Sequence, residues 1–314
     1  MGTRTRQWSY GFAALTVWLA GPAVLTIPLG LDLHLPAPDD NPLTAVKIAQ
    51  GRRLFSDRRL SRNGSIACST CHDATRAFSD GRERSVGIDG RRGRRNVPAI
   101  INRGYGRAFF WDGRDASLET QVLKPIEDPN EMGSTVDVAA ARVGMAPRDL
   151  AYALASYVRA ILSGNSRFDQ FVSGRRDALS AEEQRGLQLF RGKGNCTACH
   201  TGPTFSDELF HNTGVAFREG AFTDLGRGGV TGHDRDRGAF KTPTLRDVAL
   251  TAPYMHDGSV ATLEDVIDFY DRGGRANVFL DGDIRPLRLT PEEKRGLVAL
   301  LGALTGAGTG RQRD

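Results

Sequence analysis

Every cysteine in this 314-residue chain belongs to one of two copies of a single pattern, Cys68-Ser69-Thr70-Cys71-His72 and Cys196-Thr197-Ala198-Cys199-His200. That spacing is the attachment signature of c-type haem: two thiols form thioethers with the porphyrin edge, and the adjacent histidine reaches the iron from one face. A chain carrying it twice must fold around two large flat groups, which constrains it more than any other feature. Two disulfides or a zinc site are the competing readings. Zinc ribbons pair their Cys-x-x-Cys knuckles across a short gap, whereas 125 positions separate Cys71 from Cys196. A disulfide framework has no use for a histidine after each pair. The pattern therefore predicts two covalently bound haem c groups.

The residues around the two motifs repeat as well. Gly51-Arg-Arg-Leu-Phe55 precedes the first motif and Gly186-Leu-Gln-Leu-Phe190 the second, while Phe78-Ser-Asp80 and Phe205-Ser-Asp207 follow them. Further on, Pro98 leads to Trp111-Asp112-Gly113 and Leu118-Glu119, and Pro243 leads to His256-Asp257-Gly258 and Leu263-Glu264. The step from proline to aspartate is 14 in both halves and from aspartate to leucine 6 in both, so the chain reads as a duplication. About 18 extra residues lie in the second half between its Phe-Ser-Asp and its proline.

Local signals favour helices. Ser180-Ala-Glu-Glu183 and Thr290-Pro-Glu-Glu293 are capping boxes that open segments with apolar residues at helical spacing, and 150–162 is a third such segment. No long alternating strand pattern is present, and 202–238 reads as a long loop rich in glycine and charge. The expectation is an all-α pair of cytochrome c-like haem domains, 41–170 and 176–308.

The N-terminus places the protein. Arg4 and Arg6 precede an uncharged stretch from Gln7 to Leu31, interrupted by Pro22 and Pro28 and without a clean Ala-x-Ala site. Residues 1–33 read as an export signal or a retained membrane anchor. Export agrees with c-type attachment, which in bacteria takes place outside the cytoplasmic membrane, so the expected location is the periplasm. The net charge of +5 is modest and gives no further support for nucleic acid binding. The cluster Arg82, Arg84, Arg91, Arg92, Arg94 and Arg95 reads as a solvated basic loop, as neighbours of the haem propionates, or as a surface for an acidic partner.

The repeat also predicts how the two irons differ. Aligning Asp112 with Asp257 gives an offset of 145, which sets Pro125 opposite Tyr270. Proline offers no ligand atom, whereas a tyrosine oxygen ligates haem iron. On this reading the first haem keeps an open sixth position and the second is closed by Tyr270. The alternatives are that Tyr270 is an ordinary residue of an amphipathic helix, or that Met255 is the ligand. Met255 aligns with Phe110 rather than with Pro125, and no histidine lies between His72 and His200 to block the first iron.

These residues resemble the di-haem cytochrome c peroxidase and MauG family from about Asn41 to Gly306. The marks are Arg95-Asn-Val-Pro98, Phe110-Trp-Asp-Gly-Arg114, Leu118-Glu-Thr-Gln121, Asn130-Glu-Met132, Lys241-Thr-Pro-Thr-Leu-Arg246, Leu250-Thr-Ala-Pro-Tyr254 and Phe269-Tyr-Asp-Arg-Gly273. The resemblance implies an N-terminal peroxidatic haem, a C-terminal electron-transfer haem and calcium between them. It implies that Gln121 and Glu131 line the first distal pocket with Pro125, that Trp111 relays electrons, and that Asn96, Thr251 and the Pro253 carbonyl hold calcium. Ile88 stands where many family members have an inhibitory histidine, and Tyr270 where they have methionine. Both departures are similar to the MauG-like branch. The implied activity is oxidation by hydrogen peroxide, with Glu131 moving the proton. The electrons would come from a small periplasmic c-type cytochrome or cupredoxin, or from residues of a protein substrate. A non-enzymatic di-haem electron carrier is the third reading, and the open first haem argues against it.

Overall fold

The computed structural model describes residues 25–307; the apolar stretch before residue 25, read above as signal or anchor, lies outside the described residues. Among the described residues no helix is long and apolar enough to cross a membrane. The first half contains α1 (Ala45–Phe55), α2 (Cys68–Cys71), α3 (Leu118–Gln121), α4 (Lys124–Glu127), α5 (Val136–Arg142) and α6 (Pro147–Ala160). Then come α7 (Arg167–Val172), α8 (Ala181–Arg191), α9 (Gly228–Thr231), α10 (Leu263–Asp271) and α11 (Pro291–Ala303).

The capping boxes read from the sequence are in place. Ser180 accepts from the Glu183 amide and Thr290 from the Glu293 amide, and each glutamate carboxylate accepts in return from its cap's own N–H. Helix α6 opens on Pro147 and buries Leu150, Ala151, Leu154, Ala155 and Val158 along one face.

Two helix pairs organise the molecule, α1 with α6 and α8 with α11. A glycine permits the close approach of each pair. A Cβ added to Gly51 would lie 1.9 Å from the Ala153 carbonyl oxygen, and one added to Gly186 would lie 1.9 Å from that of Gly296. The repeated Gly-x-x-Leu-Phe motif is thus a crossing point, with the phenylalanine that follows buried in the core. Each half has its own apolar core: Leu54, Phe55, Leu60, Ile101 and Leu154 belong to the first, and Leu187, Phe190, Leu297, Leu300 and Leu304 to the second.

The all-α expectation is not met. Helices make up 38% of the structure, and short strands and irregular segments hold much of the rest. Strand β1 (Phe210–His211) pairs antiparallel with β4 (Phe240–Lys241), and β2 (Phe217–Arg218) with β3 (Ala221–Phe222). Each strand is two residues long, too short to leave a period-two pattern in the sequence. The β2–β3 turn places Glu219 and Gly220 both at positive φ, 52° and 81°, as a two-residue hairpin of the primed type requires. These strands lie within or beside the stretch that the second half has and the first half lacks.

The helix crossings predict a directional effect. Gly186→Ala must push α8 off α11, at a cost of about 1–3 kcal/mol set against a helix-propensity gain of about 1 kcal/mol. Gly302→Ala, on α11 with nothing within 4 Å of the added carbon, keeps the gain alone. Thermal melts are expected to show the Gly186 variant lowered and the Gly302 variant unchanged or raised.

Candidate functional site

A cavity of about 700 Å³ is lined by residues from both halves. Cys68, Cys71 and His72 reach it from one side and Cys196, Cys199 and His200 from the other. Much of its wall is apolar, including Phe55, Val97, Leu118, Leu263, Ile267 and Leu297, which suits the faces of a porphyrin.

Each histidine is aimed by its backbone surroundings. The His72 ring Nδ1 lies 2.7 Å from the Phe78 carbonyl oxygen, and the His200 Nδ1 lies 2.8 Å from that of Phe205. An Nδ1–H donating to a carbonyl leaves Nε2 with the free lone pair that a metal needs. Burial holds both imidazoles below their usual pKa, which favours this neutral form. Phe78 and Phe205 are both left-handed, with φ of 59° and 53°, a conformation costly for a bulky side chain. Their rings explain how they are kept there. Phe78 packs edge-on against Phe55 and Phe205 edge-on against Phe190, with centroids 6.3 Å apart in both cases. The repeated Gly-x-x-Leu-Phe and Phe-Ser-Asp motifs meet at this contact, and the functional atom is a main-chain oxygen.

The four cysteines are unpaired. Burial pushes the Cys68 and Cys196 thiols up to about 12 and Cys71 to about 11. Cys199 Sγ, Asp207 and His211 do lie within 4.8 Å of one another, a set that could hold a metal if that thiol were free. A thioether would consume it. His211 is otherwise held between Asp207, 2.8 Å from Nε2, and Asp281, 2.6 Å from Nδ1.

The predicted distal residues line the same cavity. Gln121 ends α3, whose cap Ser117 accepts from the Thr120 amide at 3.2 Å. Pro125 is the second residue of α4, and its carbonyl accepts from the Met132 amide at 3.1 Å, drawing the segment that bears Glu131 over the cavity. Glu131 is fixed further by the Ile88 amide, which donates to its carbonyl at 2.7 Å. Ile88 itself is fully buried. Burial, with help from Asp128 and against Arg114, raises the Glu131 carboxyl to about 7. Tyr270, on α10, faces the cavity from the second half, and burial pushes its phenol far above the usual range. Met255, the alternative ligand, also lines the cavity, from a turn at φ 73°.

Gln121, Glu131 and Tyr270 share a further property. Among the described residues, none of their side-chain polar atoms has a hydrogen-bond partner. Polar groups facing an apolar cavity without partners are fitted to something that fills it. The donor set and the cavity therefore fit two haems.

Trp111 stands where the halves meet. Its indole N–H donates to the Asn96 carbonyl at 2.9 Å, and the Asn96 amide donates to the His256 carbonyl at 2.8 Å. His256, its repeat counterpart, is buried with its ring stacked on Phe240, centroids 3.7 Å apart. Asn96, Thr251 and Pro253 all line the cavity. The Asn96 side-chain amide donates to the Arg82 carbonyl at 2.7 Å, leaving Oδ1 for a cation, and the Thr251 hydroxyl donates to the Val248 carbonyl. The arginine cluster divides: Arg82, Arg84, Arg91, Arg92 and Arg94 are exposed, while Arg95 turns inward to Asp112 at 2.6 Å and Asp224 at 2.8 Å.

Comparisons with known proteins place the chain among di-haem proteins. Residues 45–177 match the di-haem cytochrome c peroxidase family. Over 293 residues the chain is 40% identical to the methylamine utilization protein MauG of Methylorubrum extorquens, covering 86% of this chain and 81% of that one. It is 34% identical over 317 residues to cytochrome-c peroxidase IdrP1 of Pseudomonas sp. (strain SCT), covering 86% and 84%. Among solved structures it is similar to a MauG-like protein associated with microbial copper homeostasis, at 37% identity and a TM-score of 0.82 over 90% of this chain and 96% of that one.

A pyridine haemochrome assay on the purified protein is expected to return two haems per chain. Cys196→Ala/Cys199→Ala is expected to return one; two haems retained in that variant would exclude the motif as the attachment point.

Proposed function

The chain belongs to the di-haem cytochrome c peroxidase and MauG family, and from that premise we propose that hydrogen peroxide is reduced at the His72 site while the His200 site relays oxidising equivalents. The observation that supports the division of labour is that Pro125 and Tyr270, matched by the repeat, both line the cavity, with Tyr270 within electrostatic reach of Cys196 and Cys199. The two haems, when bound, supply redox-active irons, one open to peroxide and one closed to it.

The chain's own residues supply the proton handling. Overall, peroxide takes up two electrons and two protons to give two waters. Glu131 takes a proton from one peroxide oxygen and returns it to the other as that oxygen leaves, so its carboxyl ends unchanged. A carboxyl poised at about 7 suits both directions near neutrality. Gln121 presents an amide to the same space and would orient the peroxide by hydrogen bonding. Pro125 contributes by having no ligand atom. Trp111, held by the Asn96 carbonyl, offers an aromatic path between the two sites. Asn96, Thr251 and the Pro253 carbonyl are the oxygen donors that would hold calcium beside that path. Domains 41–170 and 176–308 form the two haem units. The location is the periplasm, with residues 1–33 as signal or anchor.

Two sources of electrons divide the family and both fit this site. One is a small c-type cytochrome or cupredoxin. The other, a protein substrate oxidised in the manner of the MauG-like branch, is favoured by Tyr270, because an anionic oxygen ligand stabilises oxidised iron where methionine would not.

Glu131→Gln is expected to slow the peroxide reaction by about a hundred- to ten-thousand-fold. In the parent enzyme the rate should rise with pH through about 7 as the carboxyl ionises, and that limb should vanish in the variant. A stopped-flow pH series on the oxidised protein measures both, and an unchanged rate would remove Glu131 from the mechanism. Tyr270→Met is expected to raise the midpoint potential of the second haem at unchanged haem content. Spectroelectrochemistry checks this, and an unmoved potential would return the ligand position to Met255.

A further inference from the structure

The two halves hold their histidine-bearing loops in different ways. In the first half, among the described residues, every side-chain and main-chain hydrogen bond of loop 73–79 is internal to it or comes from His72. Phe78 N donates to the Asp73 carbonyl at 2.8 Å, Asp73 N to Ser79 at 3.1 Å, and the Ser79 hydroxyl to Arg76 at 2.9 Å. In the second half the corresponding loop is tied from outside by one segment, 242–246. Arg246 Nε donates to the Pro203 carbonyl at 2.6 Å, the Thr244 hydroxyl to the Thr204 carbonyl at 2.6 Å, and the Ser206 hydroxyl to the Thr242 carbonyl at 2.7 Å. These three bonds flank Phe205, whose carbonyl holds His200. The Arg246 guanidinium also lies 5.6 Å from the centre of the Phe205 ring.

Arg246 is itself locked. It makes a two-pronged pair with Asp169, at 2.8 and 2.9 Å, and donates to the Gly30 carbonyl at 2.7 Å. Both side chains of the pair are 1% exposed. Burying such a pair is expensive, and apolar residues of similar volume often serve stability as well or better. The first half shows that the fold accepts this. The offset of 145 that aligns Asp112 with Asp257 sets Ile101 opposite Arg246 and Ala99 opposite Thr244. Ile101 is fully buried in the first core. The charge and the hydroxyl are therefore additions to one half, placed around one histidine's hydrogen-bond acceptor.

We propose that Arg246 and Thr244 are positioning residues of the second redox site. They hold the Phe205 carbonyl against the His200 Nδ1–H, so that this site keeps one geometry as electrons enter and leave. The His72 acceptor rides on a loop with no such ties and can follow its histidine when peroxide arrives. The division matches the roles proposed above and rests on haem at His200. A fixed acceptor keeps the imidazole strongly basic, which stabilises oxidised iron and lowers the potential of the group it ligates.

The test uses the intact holoprotein and two variants. Thr244→Val removes one tie at constant shape, and Arg246→Met/Asp169→Leu removes the buried pair without stranding either charge. Haem content and the peroxide reaction are measured first, so that loss of the second haem or of peroxide reactivity in the parent protein marks failure of the functional reading alone. Low-temperature EPR and the midpoint potential of each haem are then compared. The expected result is a shifted or broadened low-spin signal and a raised potential for the second haem in both variants, with the first haem's signal and potential unchanged. If both haems keep their signals and potentials while the melting temperature falls, the pair serves folding only and the proposal is overturned. Equal shifts at both haems would overturn it as well.

Discussion

One hydrogen bond per half, from an imidazole Nδ1–H to the carbonyl of a left-handed phenylalanine, sets the direction of each histidine, and much of the surrounding structure keeps that carbonyl where it is. The left-handed backbone at Phe78 and Phe205 turns the oxygen back toward the ring. A residue of that size adopts such a conformation only where its side chain is gripped. Phe55 and Phe190 supply the grip, and both stand at the ends of helices whose positions depend on the Gly51 and Gly186 crossings. Helix packing, backbone strain and metal-ligand orientation are thus one mechanical chain, built twice.

Between the two copies the chain builds a polar seam. Arg95 reaches Asp112 in its own half and Asp224 in the other, and Arg103 meets Glu208 at 2.7 Å beside the buried Lys241. Burial lowers the Lys241 ammonium to about 8, against the pull of Glu208. Trp111 and Asn96 run through this seam, the indole held there by a main-chain carbonyl. The cavity crosses from half to half at the same place.

The duplication, the two attachment motifs, the long capped helices and the presence of Pro125 and Tyr270 in the cavity wall were legible because each is written in residue identity at fixed spacing. The role of Phe-Ser-Asp was not, although its recurrence was seen, because a carbonyl oxygen belongs to every residue and only the backbone angle distinguishes this one. The two-residue strands escaped for lack of length. Arg95 could not be told from the other five arginines of its cluster, since its partner Asp224 lies 129 positions away in the segment that the first half lacks. The pairing of Arg246 with Asp169 spans 77 positions with no motif to join them. The offset that matched Pro125 to Tyr270 also matches Ile101 to Arg246, so the difference was present in the letters while its meaning needed the loop beside it.

The stretch that lengthens the second half does more than decorate it. Asp224 closes on Arg95, Arg227 donates to the Gly113 carbonyl at 2.9 Å and lies over Phe210, and Glu208 at its leading edge takes Arg103. Two copies of one unit would be interchangeable; here a segment present in one lies against the other and offers carboxylates to its arginines. The halves have ceased to be modules. A chimera that replaced 205–243 would leave Arg103 without Glu208 and Arg95 with Asp112 alone, so the natural unit of exchange in this architecture is the whole two-haem body.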